Sequence, residues 1–249
     1  MQSGMSPFDG AGSRDPIRDD LAAAHRRAWE RLARPGTWLD AAERIAVAAE
    51  VRAALGCALC RARRAALSPY AASGAHDSAS NLSPALIDAV HRVTTDAGRI
   101  TRQLVRELAA AGIEDVVYVE AIGVVTQVLS IDAFHHALGL PLEPLPEPLP
   151  GAPSRRRPTG AGDEGAFVPM VKPGRLDAED RDLYGGRVTG NVIRALSLVP
   201  AEVRALRDLG AAQYLDETEM RKLGSSRALD RAQIELVAGR LSALRECFY

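Results

Sequence analysis

Lysine is almost missing from this sequence: Lys172 and Lys222 are the only two, and arginine carries nearly all the positive charge. With the alanine-rich text this points to a GC-rich bacterial genome, a statement about codons and not about function. Aromatic residues are scarce at 4%. A core short of rings favours Ala/Leu/Val helix packing over a β-sandwich. Neither sign of charge dominates: 31 basic residues face 32 acidic ones, for a net charge of −1. That balance gives no electrostatic reason to expect nucleic acid or an anionic membrane as a partner. No run of about 18 apolar residues occurs, so no membrane span is expected. Residues 1–18 are rich in Gly, Ser and Asp, lack an apolar signal core, and read as a flexible tail. Three cysteines without a secretory signal argue against a disulfide scaffold and for a reducing, cytoplasmic setting.

What is present is helical patterning. Apolar residues recur at three-to-four spacing over 16–34, as at Leu21, Ala24, Ala28 and Leu32, before Pro35-Gly36 ends the run. Asp40 followed by Glu43 is a capping-box pattern, predicting a helix to about Leu55. Cys57-Ala-Leu-Cys60 then sits at the start of a further helix, ended by Ser68-Pro69, and 71–82 reads as a polar loop. Ser83-Pro84 caps a helix predicted to run to about Ala111. A long apolar helix is expected over 117–138, although its β-branched opening also suits a strand. The proline-rich 141–153 segment and the loop-like residues after it form a connector. Further helices are expected near 188–198, 200–209, 211–220 and 229–246. The expected organisation is a tail (1–18), an N-terminal helical domain (19–140), a linker (141–165) and a C-terminal helical domain (166–249).

An internal repeat emerges when Leu39–Cys57 is written above Leu229–Cys247, a gapless shift of 190 residues. Both segments open with Leu-Asp, carry an apolar face and deliver a cysteine after the same interval. The plainer reading is that two alanine-rich helices look alike.

Cys57-x-x-Cys60 is the only complete short motif. Thiols at i and i+3 on a helix start can meet as a disulfide, and the helix N-terminus lowers the pKa of the first. A thiol peroxidase needs that arrangement: a thiolate attacks the O–O bond and a neighbour resolves the sulfenic acid. A nearby Glu and His could relay the protons. Two buried small hydrophobes, or half a zinc site, are the other readings. Zinc is disfavoured, because there is no second Cys-x-x-Cys and no histidine at ligand spacing. His25, His76 and His91 read as scattered surface or interface residues. His135 and His136 read as a packed pair, or one of them lines the Cys57/Cys60 pocket with Glu120 as a second polar group. Fifteen helical residues span about 22 Å, so Glu120 and His135 cannot both reach one thiol.

The chain resembles the alkylhydroperoxidase-like (carboxymuconolactone decarboxylase-like) superfamily, whose signature is Glu-x11-Cys-x2-Cys-x3-His. Glu235 and Cys247 stand at its carboxylate and first cysteine, and the sequence stops just before the second cysteine. The N-terminal copy keeps Cys57 and Cys60, but Ile45 takes the carboxylate position and Arg64 the histidine position. Glu43 and Glu50 lie near, out of register. Residues 118–139 look like the helix that follows the signature, and 191–200 like the segment leading into it. The resemblance implies an all-α, duplicated helical bundle, commonly oligomeric. It implies a thiol oxidoreductase that reduces a peroxide at the expense of a dithiol, with no cofactor and no metal. Cys247, Glu235, Cys57 and Cys60 are the implied catalytic residues. A non-catalytic helical domain that binds a small ligand or scaffolds an oligomer, and a decarboxylase that needs no Cys-x-x-Cys, are the alternatives. A domain ending inside its own motif predicts a truncated reading, for example at a selenocysteine codon. It also predicts apolar surface left exposed on Leu236, Val237, Leu241 and Leu244.

Overall fold

The computed structural model describes residues 8, 16–185, 190–216, 219–221, 227–245 and 247. It is all-α. The helices are α1 (Asp19–Leu32), α2 (Ala41–Gly56), α3 (Ala58–Ala65), α4 (Pro84–Asp96), α5 (Arg102–Ala110), α6 (Asp115–Ala137), α7 (Asn191–Arg194), α8 (Pro200–Gln213) and α9 (Arg231–Leu244). Among the described residues the strands are one antiparallel pair, β1 (Ala161–Gly162) with β2 (Met170–Val171).

α6 is the axis of the bundle. It packs against α2, α4 and α8, while α2 also packs on α4, and α1 on α8. Val47, Val51, Val90, Val124, Val128 and Ile131 form the centre of the main core. The β-branched start of α6 stays helical because Val116, Val119 and Tyr118 are buried there against Leu183, Tyr184, residues 196–203 and α5. α6 is also long and apolar enough to cross a membrane, but most of it is buried within the protein. Its buried Asp132 accepts bidentate hydrogen bonds of 2.8 and 2.9 Å from Arg52 on α2. Paired polar groups of this kind mark it as a core helix.

Several sequence expectations change, and the helix expected near 188–198 is reduced, among the described residues, to the four residues of α7. The predicted 83–111 helix is two helices, α4 and α5, separated by a 3-10 turn at Ala97–Arg99. There the Arg99 guanidinium is drawn to Asp96, and Thr101 caps a new helix by accepting from Gln103 N–H. The break expected near residue 210 is absent: α8 runs on to Gln213, burying Leu209 and Ala212 against α1 and α6. The tail expectation falls largely on residues 1–7 and 9–15, which lie outside the described residues. Phe8 is anchored, its ring packing edge-on to His25, Trp29 and His135.

The proline-rich connector is docked along the first half. Leu149 N–H donates to Ala33 O at 2.7 Å, and Arg155 N–H to Thr37 O at 2.8 Å. Trp29 Nε1–H donates to Pro144 O at 2.8 Å.

The two halves of the proposed repeat share a local device and differ in environment. Asp40 with Glu43, and Asp230 with Gln233, each make a full capping box. Yet α2 buries Val47, Ala48, Val51 and Ala54, whereas no residue of α9 is buried. Leu236, Val237, Leu241 and Leu244 are all more than half exposed, as the sequence led us to expect.

Candidate functional site

The site begins at the junction of α2 and α3. Cys57 ends α2 and, in an extended conformation, is the residue from which α3 starts. Cys60 is the third residue of α3, so both sulfurs lie at its N-terminal end. The Ala58 N–H, one of the orphan donors of that end, points to Asp77 Oδ2 at 2.8 Å. Both thiols are free and buried.

Two histidines converge on them. His76 comes from the 66–82 loop. Its Nδ1 lies 3.5 Å from Cys57 Sγ and 3.6 Å from Cys60 Sγ. His91 comes from the buried face of α4, its Nδ1 3.3 Å from Cys60 Sγ. The rings sit with centroids 4.2 Å apart. All four potential donor atoms lie within 4.8 Å of one another.

Each ring is held from behind by a carboxylate. His91 Nε2 is 2.9 Å from Glu50 Oε2 on α2, and both side chains are fully buried. The other Glu50 oxygen accepts from Ser78 Oγ at 2.7 Å and from Ala79 N–H at 2.9 Å, which ties the loop to the core. His76 Nε2 is 2.9 Å from Asp88 Oδ1, one turn before His91 on α4. Asp88 in turn pairs with Arg63 of α3 and with Arg92, the latter at 2.9 Å.

These contacts set the proton affinities. Burial by itself raises the Cys57 thiol. The backbone N–H groups of Asp77 and Cys60 and the two imidazoles outweigh it and bring Cys57 down to about 6. Burial pushes the Cys60 thiol up to about 11, and the neighbouring Cys57 reinforces the shift. Burial lowers His76, but Asp88 and Cys57 more than offset it, and the ring holds its proton more tightly than an ordinary histidine. Asp88 also resists burial: His76, Arg63 and Arg92 bring it down to about 2. Burial raises Glu50 as well, yet hydrogen bonds from Ser80, Ser78 and His91 leave it lowered. Cys57 is therefore the thiol that loses its proton more readily and faces His76, while Cys60 holds its proton and faces His91.

The structure redistributes the expected site residues. Cys57 and Cys60 stand together. The reading of His25, His76 and His91 as surface residues is corrected, since His25 and His91 are fully buried and His76 is nearly so. With it goes the statement that no histidine lies at ligand spacing from the pair. Glu50 lies behind His91, whereas Glu43 is spent in the α2 capping box. Ile45 packs against the core, and Arg64 is exposed.

His135 is packed, its Nδ1 2.9 Å from Pro141 O, and His25 is buried beside it. Glu120 accepts from Arg44 Nη1 at 2.6 Å and from Trp38 N–H at 2.6 Å, within a separate buried cluster completed by Glu202. Neither Glu120 nor His135 joins the thiols. Cys247 is exposed beyond α9, its N–H donating to Ser242 O at 2.9 Å. Glu235 accepts from Tyr214 Oη at 2.6 Å and lies 3.6 Å from Arg231. Neither Cys247 nor Glu235 belongs to the group of donors gathered around Cys57 and Cys60. Comparison with family models, with curated proteins and with solved structures finds no match to this chain.

Proposed function

We propose that the chain is a thiol-dependent oxidoreductase that reduces a peroxide at Cys57 and Cys60. One observation carries the reading: a thiol at a helix N-terminus has a second thiol three residues on, and two carboxylate-backed imidazoles converge on the pair. In the first step Cys57 Sγ attacks one peroxide oxygen. The S–O bond forms and the O–O bond breaks, and the leaving alkoxide takes the Nδ1 proton of His76. In the second step Cys60 gives its proton to His91 Nδ1, whose Nε2–H is already donated to Glu50. Its sulfur attacks Cys57 Sγ, the S–S bond forms and hydroxide departs, protonated to water. Two thiols supply the two electrons, and a dithiol reductant restores them by exchange. Both sulfurs are covered by the 66–82 loop, where Ala72 packs on them, so peroxide enters as that loop swings aside.

Thiol counting tests the reading. In a C247S background only Cys57 and Cys60 remain. The reduced, metal-free protein should lose two thiols per peroxide and regain both with a dithiol. C57S should abolish turnover. C60S should stop at a sulfenic acid that a dimedone-type reagent traps. A folded protein whose two thiols ignore excess peroxide would refute the assignment.

A further inference from the structure

We propose that Cys57, Cys60, His76 and His91 form a tetrahedral Zn(II) site in the reduced protein. The ion-binding claim stands on geometry alone. Its redox consequence, below, rests on the thiol chemistry of the preceding section.

A zinc ion binds thiolate at about 2.3 Å and imidazole at about 2.0–2.1 Å, so a tetrahedron sets S···N separations of about 3.6 Å. Three of the four S···N distances here are 3.5, 3.6 and 3.3 Å. A lone hydrogen-bonded pair does not require four donors to face one point, yet all four lie within 4.8 Å of each other. The donors come from three places, the α2–α3 junction, the 66–82 loop and α4, in the order Cys-x2-Cys-x15-His-x14-His.

Both histidines offer Nδ1 to the centre and direct Nε2 at a carboxylate, Asp88 for His76 and Glu50 for His91. That is the outer shell that fixes the tautomer and orientation of zinc-bound imidazoles. Two thiolates neutralise the ion, which makes its burial tolerable. The S2N2 donor set selects zinc among the common divalent ions, and a four-protein-ligand sphere leaves no position for substrate. The ion therefore protects and shapes the site instead of performing its chemistry.

Oxidation removes half of the coordination sphere. Two zinc-bound thiolates plus one peroxide and two protons yield the Cys57–Cys60 disulfide, an alcohol and water, and the ion is released. The 66–82 loop, which brings His76, then keeps its hydrogen bonds to Glu50 and to the Ala58 N–H and loses only its tie to the ion. Peroxide is thus converted into a pulse of zinc.

The test uses the full chain as a C247S variant, reduced, stripped of metal and kept anaerobic. Titration with Co(II) should give one equivalent with the strong visible bands of tetrahedral coordination, displaced by Zn(II). H76N and C60S should each weaken Zn(II) binding at least a hundredfold. D88N, a positioning change, should weaken it about tenfold with the fold intact by circular dichroism. Only weak octahedral Co(II) absorption in the folded protein would overturn the site. Peroxide added to the zinc form should release one ion per two thiols lost, read with a chromogenic chelator. A metal-loaded protein that keeps its ion and thiols under peroxide retains the metal site and loses the peroxide-driven release, and metal-free thiols that ignore peroxide lose the oxidoreductase reading. A protein whose metal-free thiols react but which binds no tetrahedral Co(II) keeps the oxidoreductase reading and loses the metal site.

Discussion

His91 Nε2 and Glu50 Oε2 meet at 2.9 Å with neither side chain touching solvent. The contact joins α4 to α2 across 41 residues and fixes which imidazole nitrogen faces Cys60. Glu50 is a pure acceptor here, receiving Ser78 Oγ–H and Ala79 N–H as well as the ring. Every atom of the cluster is thus specified from two sides. A half-satisfied buried network would cost more than an apolar core.

Replacing Glu50 with glutamine should expose that dependence. The amide brings an NH2 group among three donors and leaves one of them facing a donor. Stability to urea should fall by about 1–3 kcal/mol, the usual cost of an unpaired buried polar group. In the same variant Co(II) affinity and the rate of disulfide formation should both drop about tenfold. Unchanged stability together with unchanged affinity would show that the His91–Glu50 contact supports neither.

Much of this arrangement was legible before the fold. The capping box of α2, the position of α3 after Cys57 and the apolar face of α1 follow from local rules, and they hold because tertiary packing agrees with them. The histidines were illegible because nothing local marks them. His76 lies in a loop whose path is fixed by Glu50 and Asp77, and both contacts cross from other elements. One sequence signal was available. Glu50 interrupts the stripe Val47, Val51, Ala54 on the buried side of α2, and a carboxylate there demands a partner. Asp88 and His91, three apart, share a face of α4 next to that helix. The Gly98 region was misread for a different reason. The 3-10 turn it belongs to is stabilised by Arg99 donating to the backbone carbonyls of Arg63 and Ala66 at the C-terminal end of α3.

Arg44 is the test of the second buried cluster. It donates to Glu120 at 2.6 Å and to Glu202 at 2.8 Å, all three side chains at most 4% exposed. R44M leaves two buried carboxylates without their cation and should destabilise by about 3–5 kcal/mol. The triple change R44M/E120Q/E202Q removes the stranded charges and should recover much of that loss. Denaturant midpoints of the two variants decide the matter. If the triple variant is as unstable as R44M, packing rather than charge dominates.

His25 gives the fold an acid edge. Burial, with help from the nearby His135, lowers its pKa from 6.5 to about 4. The ring is enclosed by Phe8 and Phe134, and the Gln213 amide Nε2 lies 3.1 Å from its Nε2. Since the folded state prefers the neutral ring, the unfolded chain binds the extra proton first. His25 therefore costs nothing above pH 6.5. Stability is lost as pH falls from 6.5 to about 4 and levels off below it. The total is about 2 kcal/mol after allowance for relaxation around the ring. Urea midpoints measured across that range should fall more steeply for the native protein than for H25F. Parallel profiles would place the acid sensitivity elsewhere.

Two glycines are held small by the carboxylates of the Arg44 cluster, and a third supplies the control. A Cβ on Gly36 would stand 1.8 Å from Glu120 Oε1, and one on Gly123 would stand 2.4 Å from Glu202 Oε2. Neither carboxylate can retreat without releasing Arg44, so G36A and G123A should each destabilise by about 1–3 kcal/mol, the range for overpacking. Gly239 lies on the exposed α9 with nothing within 4 Å of its would-be Cβ. There the added methyl only restricts the unfolded chain and favours the helix, so G239A should be stabilising by about 0.5–1 kcal/mol. Thermal and urea unfolding of the three single variants, each followed by helical circular dichroism, reads both signs at once. The arginine–carboxylate cluster is the constraint only if G36A and G123A lose stability while G239A does not. Equal small effects at all three would mean that the carboxylates yield and that Arg44 is not what fixes them.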